Sequence, residues 1–417
     1  MSTMMLFAQI ATDKPALEMA VRIPLSIMNF LEFAIWGAWF VVLGNYLHGM
    51  QFSRPAIGRI YATMSLGAVI SPMFVGTIAD RYFSSQLVMG VLHLAGAALL
   101  FWMANIRTVR MFYWVTLAYA LVYAPTLALS GSVTFANVPD GGRDFPSIRV
   151  LGTIGWIATG LALRFLLKPG EAVNNRPLLL AAVLSLVLGV YSFFMPDTPP
   201  GVSPDLPFFE AIPFLKAVNL LTDFSFAVFF GVSFFITLAL AFYYSWTALF
   251  LEHEAKVKPE NVGPIMTIGQ WMEIIFLLAL PWFLEHLTMK WVLALGMAAW
   301  GIRYAIFASR APFPILLIGV ALHGICFDFF FAAGFIHVNN TAPADIVNSG
   351  QALFAVLTYG LGMWLGTEAS GWINQWATTE VTDPQTGAIL KKTDWTKFWL
   401  IPCVGVIIAL VAFVALG

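Results

Sequence analysis

The chain has 417 residues, of which 60% are hydrophobic and only 10% are charged, and its formal net charge is −1. Soluble domains carry about 25% charged residues, so this composition excludes a soluble globular protein and predicts a polytopic membrane protein. The near-neutral charge gives no sign of nucleic acid as a partner, because nucleic-acid-binding domains carry strongly basic surfaces.

Apolar stretches of about 20 residues, the length that crosses a bilayer as a helix, recur along the whole chain. They predict an all-α membrane protein with twelve transmembrane helices, which we number as spans one to twelve. The expected spans lie at about 23–47, 56–79, 87–105, 110–135, 146–168, 177–196, 224–251, 260–285, 290–308, 312–338, 347–374 and 396–416.

The longest polar break separates span six from span seven and is rich in proline, which removes helical hydrogen bonds. It predicts a six-helix half over residues 1–196, an interdomain linker over 197–222 and a second six-helix half over 223–417. Equal halves are typical of transporters that are built from repeats and that bind their solute near the midplane of the membrane.

Span one carries Asn29, Glu32, Trp36 and Trp39 at spacings that place all four on one helical face. One interpretation is a ring-stacking platform beside a carboxyl group. The other is an aromatic belt at the membrane interface with a satisfied polar neighbour. Glu32 lies too deep in its span for an interfacial role, since charges at that depth are usually functional.

Span two is followed by the segment Gly76-Thr-Ile-Ala-Asp80-Arg81, which we predict to be a short loop between two spans. This pattern resembles the loop signature of the major facilitator superfamily, where the acid pairs at a helix end and helps to lock one conformation. The later glycine and basic residues of that signature are replaced here by residues 83–86.

Span five places Arg149, Thr153 and Trp156 on one stripe, at i, i+4 and i+7. A guanidinium, a hydroxyl and a ring in this order could hold a polar, planar solute. The alternative is that Arg149 is an ordinary cation at a helix end. In span seven, Tyr243 and Tyr244 lie near a span end, where aromatic residues are usually interface anchors.

Spans eight and ten each place a carboxyl group in the middle of an apolar run. Gln270 and Glu273 form a polar stripe with Thr267, and Asp328 follows Phe327. A charge at this depth costs roughly 2.5–3.5 kcal/mol on insertion scales. Such residues therefore predict a partner, a bound proton or a hydrated cavity between the halves.

Taken together, these motifs resemble the bacterial nucleoside:H⁺ symporters of the major facilitator superfamily over nearly the whole chain. The resemblance is carried by residues 30–39, 76–81, 144–155, the pair Gln270 and Glu273, and residues 327–330. It implies proton-coupled nucleoside uptake by alternating access across the bacterial inner membrane, in a multi-pass protein that acts as a monomer in the bilayer. It implies no enzyme activity, cofactor or metal.

The resemblance also implies which residues line the solute site: Arg149, Thr153, Gln270, Glu273, Phe327 and Asp328, with Trp36 and Trp156 as stacking faces. Two positions depart from the family pattern. Ala241 and Tyr244 fall where the family has amides, and Glu32 falls where a glutamine is familiar.

Asp328, Glu273 and Glu32 are the candidates for proton coupling, because a carboxyl group that alternates between wet and dry surroundings can bind and release a proton. We expect Asp328 to be the main proton carrier and Glu273 to be mainly a solute ligand. Gly76, Asp80 and Arg81 are the expected conformational segment.

Several alternatives stay open at this stage. A symporter of the same type could carry another polar solute, such as a sugar or sugar conjugate. A membrane enzyme is disfavoured, because the sequence has no H-E-x-x-H pattern, no glycine-rich phosphate loop and no nucleophile elbow. The resemblance implies a cytoplasmic N-terminus, whereas the distribution of lysine and arginine favours the opposite orientation.

Overall fold

The computed structural model describes residues 15–139, 141–200, 217–343, 347–382 and 389–416, which are helical almost throughout. The helices before the linker are α1 (Met19–Trp39), α2 (Leu43–Gly49), α3 (Arg54–Arg81), α4 (Ser85–Met103), α5 (Val109–Asn137), α6 (Gly141–Leu166) and α7 (Arg176–Ser192). Those after it are α8 (Phe224–His253), α9 (Pro259–His286), α10 (Met289–Ala308), α11 (Phe313–Ala321), α12 (His323–Phe327), α13 (Ala333–Thr341), α14 (Val347–Ala355), α15 (Met363–Trp376) and α16 (Trp395–Leu416).

The remaining elements are shorter. They are a 3₁₀ turn (Val218–Thr222), two π-helical segments (Asp328–Ala332 and Val356–Gly362), and a hairpin of the antiparallel strands β1 (Thr378–Thr382) and β2 (Ile389–Thr393). The π-helical segments interrupt spans ten and eleven. Such wide turns are rare and often occur at functional sites.

Each of the twelve predicted spans falls on one helix or on a helix with a break. Within the described ranges, nine helices are long and apolar enough to cross a membrane, and Arg176–Ser192 is a shorter apolar helix. The predicted all-α membrane architecture is therefore confirmed. The division into two halves with a linker stays a prediction, since residues 201–216 of the linker lie outside the described residues.

The segment from Gly76 to Arg81 differs from its prediction as a loop. Its backbone continues α3, and the turn to α4 is confined to residues 82–84. A single glycine without proline does not end a helix that is packed along its length. The side chains of Gly76, Asp80 and Arg81 lie outside the described residues, so their conformational role stays a prediction.

The end of α7 is tied to the start of α4 by hydrogen bonds. The Gln86 amide donates to Asp197 Oδ1 at 2.7 Å and accepts from the Thr198 N–H at 2.9 Å. Together with a second bond from Ser84, the Gln86 bond holds the pKa of the Asp197 carboxyl below its usual value. The linker therefore leaves the first half from a fixed point.

Helices within each half approach closely where one of them carries glycine. A methyl group at Gly67 on α3 would lie 2.6 Å from the Ala120 backbone of α5. On α15, Gly366 receives the Ala241 side chain of α8, with 2.7 Å between the ideal Cβ position and the Ala241 Cβ. Small residues allow such contacts between transmembrane helices.

The close contacts between the two halves cluster at one end of the bundle, which we call the hairpin end because it carries β1 and β2. There, Gly58 of α3 meets the Thr367 backbone of α15. An ideal Cβ at Gly263 of α9 would lie 2.7 Å from the Gly160 carbonyl oxygen of α6. Asn45 of α2 also donates a hydrogen bond to Glu252 of α8. The halves are thus held together at the hairpin end.

Candidate functional site

The centre of the bundle brings together a cation of one half and an acid of the other. Arg149 of α6 and Glu273 of α9 are both partly buried, and they attract each other electrostatically. The Arg149 guanidinium also lies 3.8 Å from the centroid of the Phe33 ring, a cation–π contact that fixes its position. Arg149 and Glu273 are therefore electrostatically coupled across the two halves, and their role in binding a solute stays a prediction.

Gln270 lies one turn before Glu273 on the same helix. It is buried, and its Oε1 has no hydrogen-bond partner within the described structure. Buried amide oxygens are nearly always satisfied, so this atom is available to a solute or to water. Thr267, the third member of the predicted stripe, instead donates to the Pro264 carbonyl and packs its methyl against Gly160.

Trp36 and Trp156 form an aromatic pair beside this centre. Their ring centroids are 5.3 Å apart at an interplanar angle of 72°, and both side chains are partly buried. The Trp36 indole N–H has no hydrogen-bond partner in the described residues. Thr153 is partly buried one turn before Trp156. The role of Trp36 as a stacking platform stays a prediction.

The four polar and aromatic residues that were predicted to share one face of span one have different surroundings. Trp39 is 1% exposed and packs edge-on against Tyr119 at 5.6 Å, inside the first half. The amide of Asn29 donates to Thr134 of α5 at 3.2 Å. Trp36 therefore lies beside the central site, whereas Asn29 and Trp39 pack against neighbouring helices of the first half.

Asp328 and Phe327 stand where α12 passes into the π-helical segment. Asp328 is 2% exposed, its Oδ2 has no partner in the described part of the chain, and the Glu273 carboxyl repels it. Phe327 is partly buried and contacts His323 on the preceding turn. Two carboxyl groups so placed need a cation or a proton nearby, because an uncompensated buried charge is costly.

Tyr244 was predicted to be an interface anchor, and this prediction is wrong. Its partly buried ring lies inside the bundle, 6.2 Å from Phe40 of the first half and 5.9 Å from His323. Glu273 acts on its hydroxyl electrostatically. The rotation of α8 about its axis places this side chain inside the bundle. The sequence position of an aromatic residue near a span end does not show whether its side chain points toward lipid or toward the bundle.

Tyr359 is a residue of the centre that sequence reasoning missed. It lies on the π-helical segment of span eleven and is partly buried, and the carboxyls of Glu273 and Asp328 both act on its hydroxyl. The signal in the sequence was the short polar run Thr358-Tyr359 between two apolar stretches. Ala241, in contrast, packs against Gly366 and does not belong to the centre.

Glu32 lies in a closed network within the first half. Its Oε2 is 2.8 Å from His93 Nε2 on α4, and its Oε1 accepts a hydrogen bond from Thr126 Oγ1 on α5 at 2.7 Å. Glu32 and His93 are at most 1% exposed. The contacts described for its carboxyl are thus made with the first half, and its role in proton coupling stays a prediction.

Arg303 of span nine is fully buried in the second half. Its Nε donates to the Gly319 carbonyl at 2.9 Å, and its guanidinium lies 4.1 Å from the Tyr243 ring and 4.6 Å from the Trp300 ring. The cation is therefore stabilised by aromatic faces.

Comparison with known proteins assigns the family. The family model of the nucleoside H⁺ symporters matches residues 19–416. The chain belongs to the nucleoside H⁺ symporter family. It is 40% identical over 398 residues to a protein of Escherichia coli (strain K12) that carries the provisional description of a nucleoside transporter, YegT, covering 93% of this chain and 92% of that one.

Solved structures agree with this assignment. The crystal structure of the nucleoside transporter NupG is 28% identical, has a TM-score of 0.82 and covers 95% of this chain and 99% of its own. A D-xylose–proton symporter, 13% identical with a TM-score of 0.68, covers 95% and 97% and shows the shared fold alone. This symporter family member is thus a multi-pass transporter of the bacterial inner membrane with a major facilitator fold.

Proposed function

We propose that this protein takes up nucleosides together with protons by alternating access, and that its solute binds between Arg149, Gln270, Glu273 and Asp328. The observation that carries the proposal is the electrostatic attraction between Arg149 of one half and Glu273 of the other, together with the buried Asp328, whose carboxyl interacts with that of Glu273. A site made by both halves can sense their relative position, which alternating access requires.

The chemistry of these side chains suits a nucleoside. Gln270 can donate and accept hydrogen bonds, and Arg149 donates in a planar fork, so both can recognise ribose hydroxyls or the carbonyl groups of a base. Trp36, Trp156 and Phe327 offer faces on which a base can stack. Thr153 adds a hydroxyl on the Arg149 side of the site.

Proton coupling is assigned chiefly to Asp328. It is the more deeply buried acid of the pair, and one of its oxygens has no partner in the described residues. Glu273 is attracted electrostatically by Arg149 and is therefore better placed to hold a solute together with it. Binding of a proton at Asp328 would remove the repulsion between the two acids, which favours a compact, occupied site.

The contacts at the hairpin end support a conformation that is closed there. If the N-terminus is cytoplasmic, the hairpin end faces outward and this conformation opens to the cytoplasm. We propose that the chain acts as a monomer in the bilayer and catalyses no chemical reaction. A sugar or sugar conjugate as solute is the second candidate, favoured by the phenol groups of Tyr244 and Tyr359 at the centre.

The test is uptake of labelled uridine and adenosine into proteoliposomes, with and without an inwardly directed proton gradient. Accumulation that depends on the gradient is expected, and it should be absent from liposomes without protein. Correctly reconstituted protein that takes up neither nucleoside under either condition would refute the nucleoside assignment. Uptake of labelled xylose under the same gradient would then support the second candidate.

A further inference from the structure

The helices of spans ten and eleven each contain a π-helical segment at the depth of the candidate site. The π-helical segment Asp328–Ala332 begins at the acid itself, and Val356–Gly362 carries Tyr359 at its middle. The second segment is held against two neighbours: Gly362 faces Thr237 of α8, and Gly360 faces Val69 of α3. Because its glycines contact both helices, the backbone that carries Tyr359 has a fixed position.

The ring of Tyr359 is held by a row of aromatic side chains on span ten. Its centroid lies 6.5 Å from that of Phe327, 5.5 Å from that of Phe331 and 6.4 Å from that of Phe335. Aromatic contacts of this kind fix the ring plane. Tyr359 is partly buried in this position, and its hydroxyl lies within electrostatic range of the Glu273 and Asp328 carboxyl groups.

Two carboxyl groups and a second phenol lie within electrostatic range of that hydroxyl. Glu273 and Asp328 act on it electrostatically, and it interacts with Tyr244 across the centre. A phenol hydroxyl can donate one hydrogen bond and accept another, whereas an ionised carboxylate only accepts hydrogen bonds. Tyr359 is therefore a group that can donate to an acid while it accepts from a hydroxyl or N–H of a solute.

We propose that Tyr359 contacts the solute and determines specificity at the proposed site, with Tyr244 as its partner on span seven. This inference rests on the proposed function for the position of the solute. The expected solute is an uncharged molecule with neighbouring hydroxyl groups and a flat ring. The hydroxyl of Tyr359 binds one of its polar groups, and the aromatic row behind it receives the ring.

The experiment compares Tyr359→Phe and Tyr244→Phe with wild-type protein. Each change removes one hydroxyl and keeps the ring, so the packing against Phe331 or Phe40 is preserved. The matched control is Tyr243→Phe, because Tyr243 is fully buried and its hydroxyl has no partner in the described residues. Uptake of uridine, adenosine and their 2′,3′-dideoxy forms is measured for each protein.

Loss of one hydrogen bond should raise the KM of Tyr359→Phe for uridine by about 3–10-fold, with a smaller change in maximal rate. The KM for the dideoxy form should rise less if the lost bond is to the ribose. Tyr243→Phe should behave as wild type. A Tyr359→Phe protein with the wild-type KM for every solute would overturn the inference.

Binding separates this inference from the proposed function. Binding of uridine, adenosine and xylose is measured by titration of the intrinsic tryptophan fluorescence of the protein in detergent. A wild-type protein that binds only xylose would refute nucleoside transport, while weaker xylose binding by Tyr359→Phe would still support the inference. A wild-type protein that binds none of the three would refute both.

Discussion

Asp328 and Glu273 lie in the same part of the bundle but have different neighbours. Because of this difference, neutralising one carboxyl group should not have the same effect on transport as neutralising the other. Asp328→Asn removes the acid with an unpartnered oxygen, so it should abolish accumulation against a gradient while solute exchange continues. Glu273→Gln removes the partner of Arg149, so it should raise the KM for uridine about tenfold, the effect of a lost charged hydrogen bond of about 1.5 kcal/mol. Proteoliposome uptake and counterflow distinguish the two outcomes.

The control for both variants is Glu380→Gln, which neutralises an exposed acid on the hairpin, far from the bundle centre in the fold. It should leave both accumulation and KM unchanged. If Asp328→Asn accumulates uridine as wild type does, the assignment of the proton to Asp328 is wrong. If both variants retain full coupling, neither acid carries it.

Glu32 offers a second test at the residue scale. Its carboxyl is closed between His93 and Thr126, so we expect Glu32→Gln to keep gradient-driven accumulation and to lower thermal stability. The loss of one charge-assisted hydrogen bond costs about 1.5–3 kcal/mol. Uptake and thermal unfolding in detergent measure the two effects. Loss of accumulation with an unchanged melting temperature would instead assign Glu32 to proton coupling, as the sequence suggested.

The residues that sequence reasoning found are those whose chemistry conflicts with their surroundings. An acid or an arginine in an apolar run is recognisable because its burial is costly. Arg149, Glu273 and Asp328 were selected for this reason, and Glu273 interacts electrostatically with the other two. Tyr244 and Tyr359 carry no charge that conflicts with an apolar run, and aromatic residues occur in cores, at membrane interfaces and in binding sites alike. Their positions depend on helix register.

At the scale of elements, hydropathy was sufficient to place the helices, but not their irregularities. The π-helical segments of spans ten and eleven depend on packing against neighbouring helices, which the hydropathy pattern of the sequence does not encode. The hairpin after α15 was also not predicted, although its strands are rich in threonine, which favours strands. The backbone of residues 76–81 continues a helix where a family motif suggested a loop.

Helix packing in the first half gives a prediction for paired glycine variants. Gly67→Ala should destabilise the protein, since the added methyl would lie 2.6 Å from the Ala120 backbone, which cannot move aside without shifting α5. Overpacking of this kind costs about 1–3 kcal/mol. Thermal unfolding in detergent should show a lower melting temperature and loss of folded yield.

Gly131→Ala on α5 is the matched control. Apart from the local backbone of its own helix, no atom of the described residues lies within 4 Å of its ideal Cβ position. In a helix interior, alanine is favoured over glycine by about 1 kcal/mol, so the melting temperature should stay the same or rise. Equal destabilisation by the two substitutions would show that the close approach of α3 and α5 does not limit stability.

At the scale of the whole molecule, polar side chains at the hairpin end connect the two halves, and we call the set Asn45, Glu252, His48, His253 and Arg54 the clasp. Asn45 donates to Glu252, and His48 lies with its ring centroid 4.8 Å from that of His253. The Arg54 guanidinium lies 2.9 Å from His48 Nδ1. Beside the clasp is a cavity of about 1310 Å³ lined by residues of both halves and of the hairpin. Alternating access requires this clasp to open once in each transport cycle.

The last prediction is that covalent closure of the clasp stops transport. In a protein with His48→Cys and His253→Cys, a short bis(methanethiosulfonate) reagent should join the halves, because it forms a disulfide with each cysteine and releases a sulfinate. This cross-link should abolish uridine uptake, and a reductant that cleaves the disulfides should restore it. The native cysteines, Cys326 and Cys403, are buried and should not react. Because the reagent locks an existing conformation, uridine should still bind in the fluorescence titration.

The control joins two positions within one half. Thr378 and Thr393 face each other across the hairpin, with their hydroxyl oxygens 2.8 Å apart. Cysteines at these two positions should cross-link with the same reagent and leave uptake intact, because the halves stay free to move. If the pair across the halves cross-links completely and uptake continues, the hairpin end does not open during transport. A reagent that cannot cross the membrane also reports on which side of the bilayer the hairpin end lies.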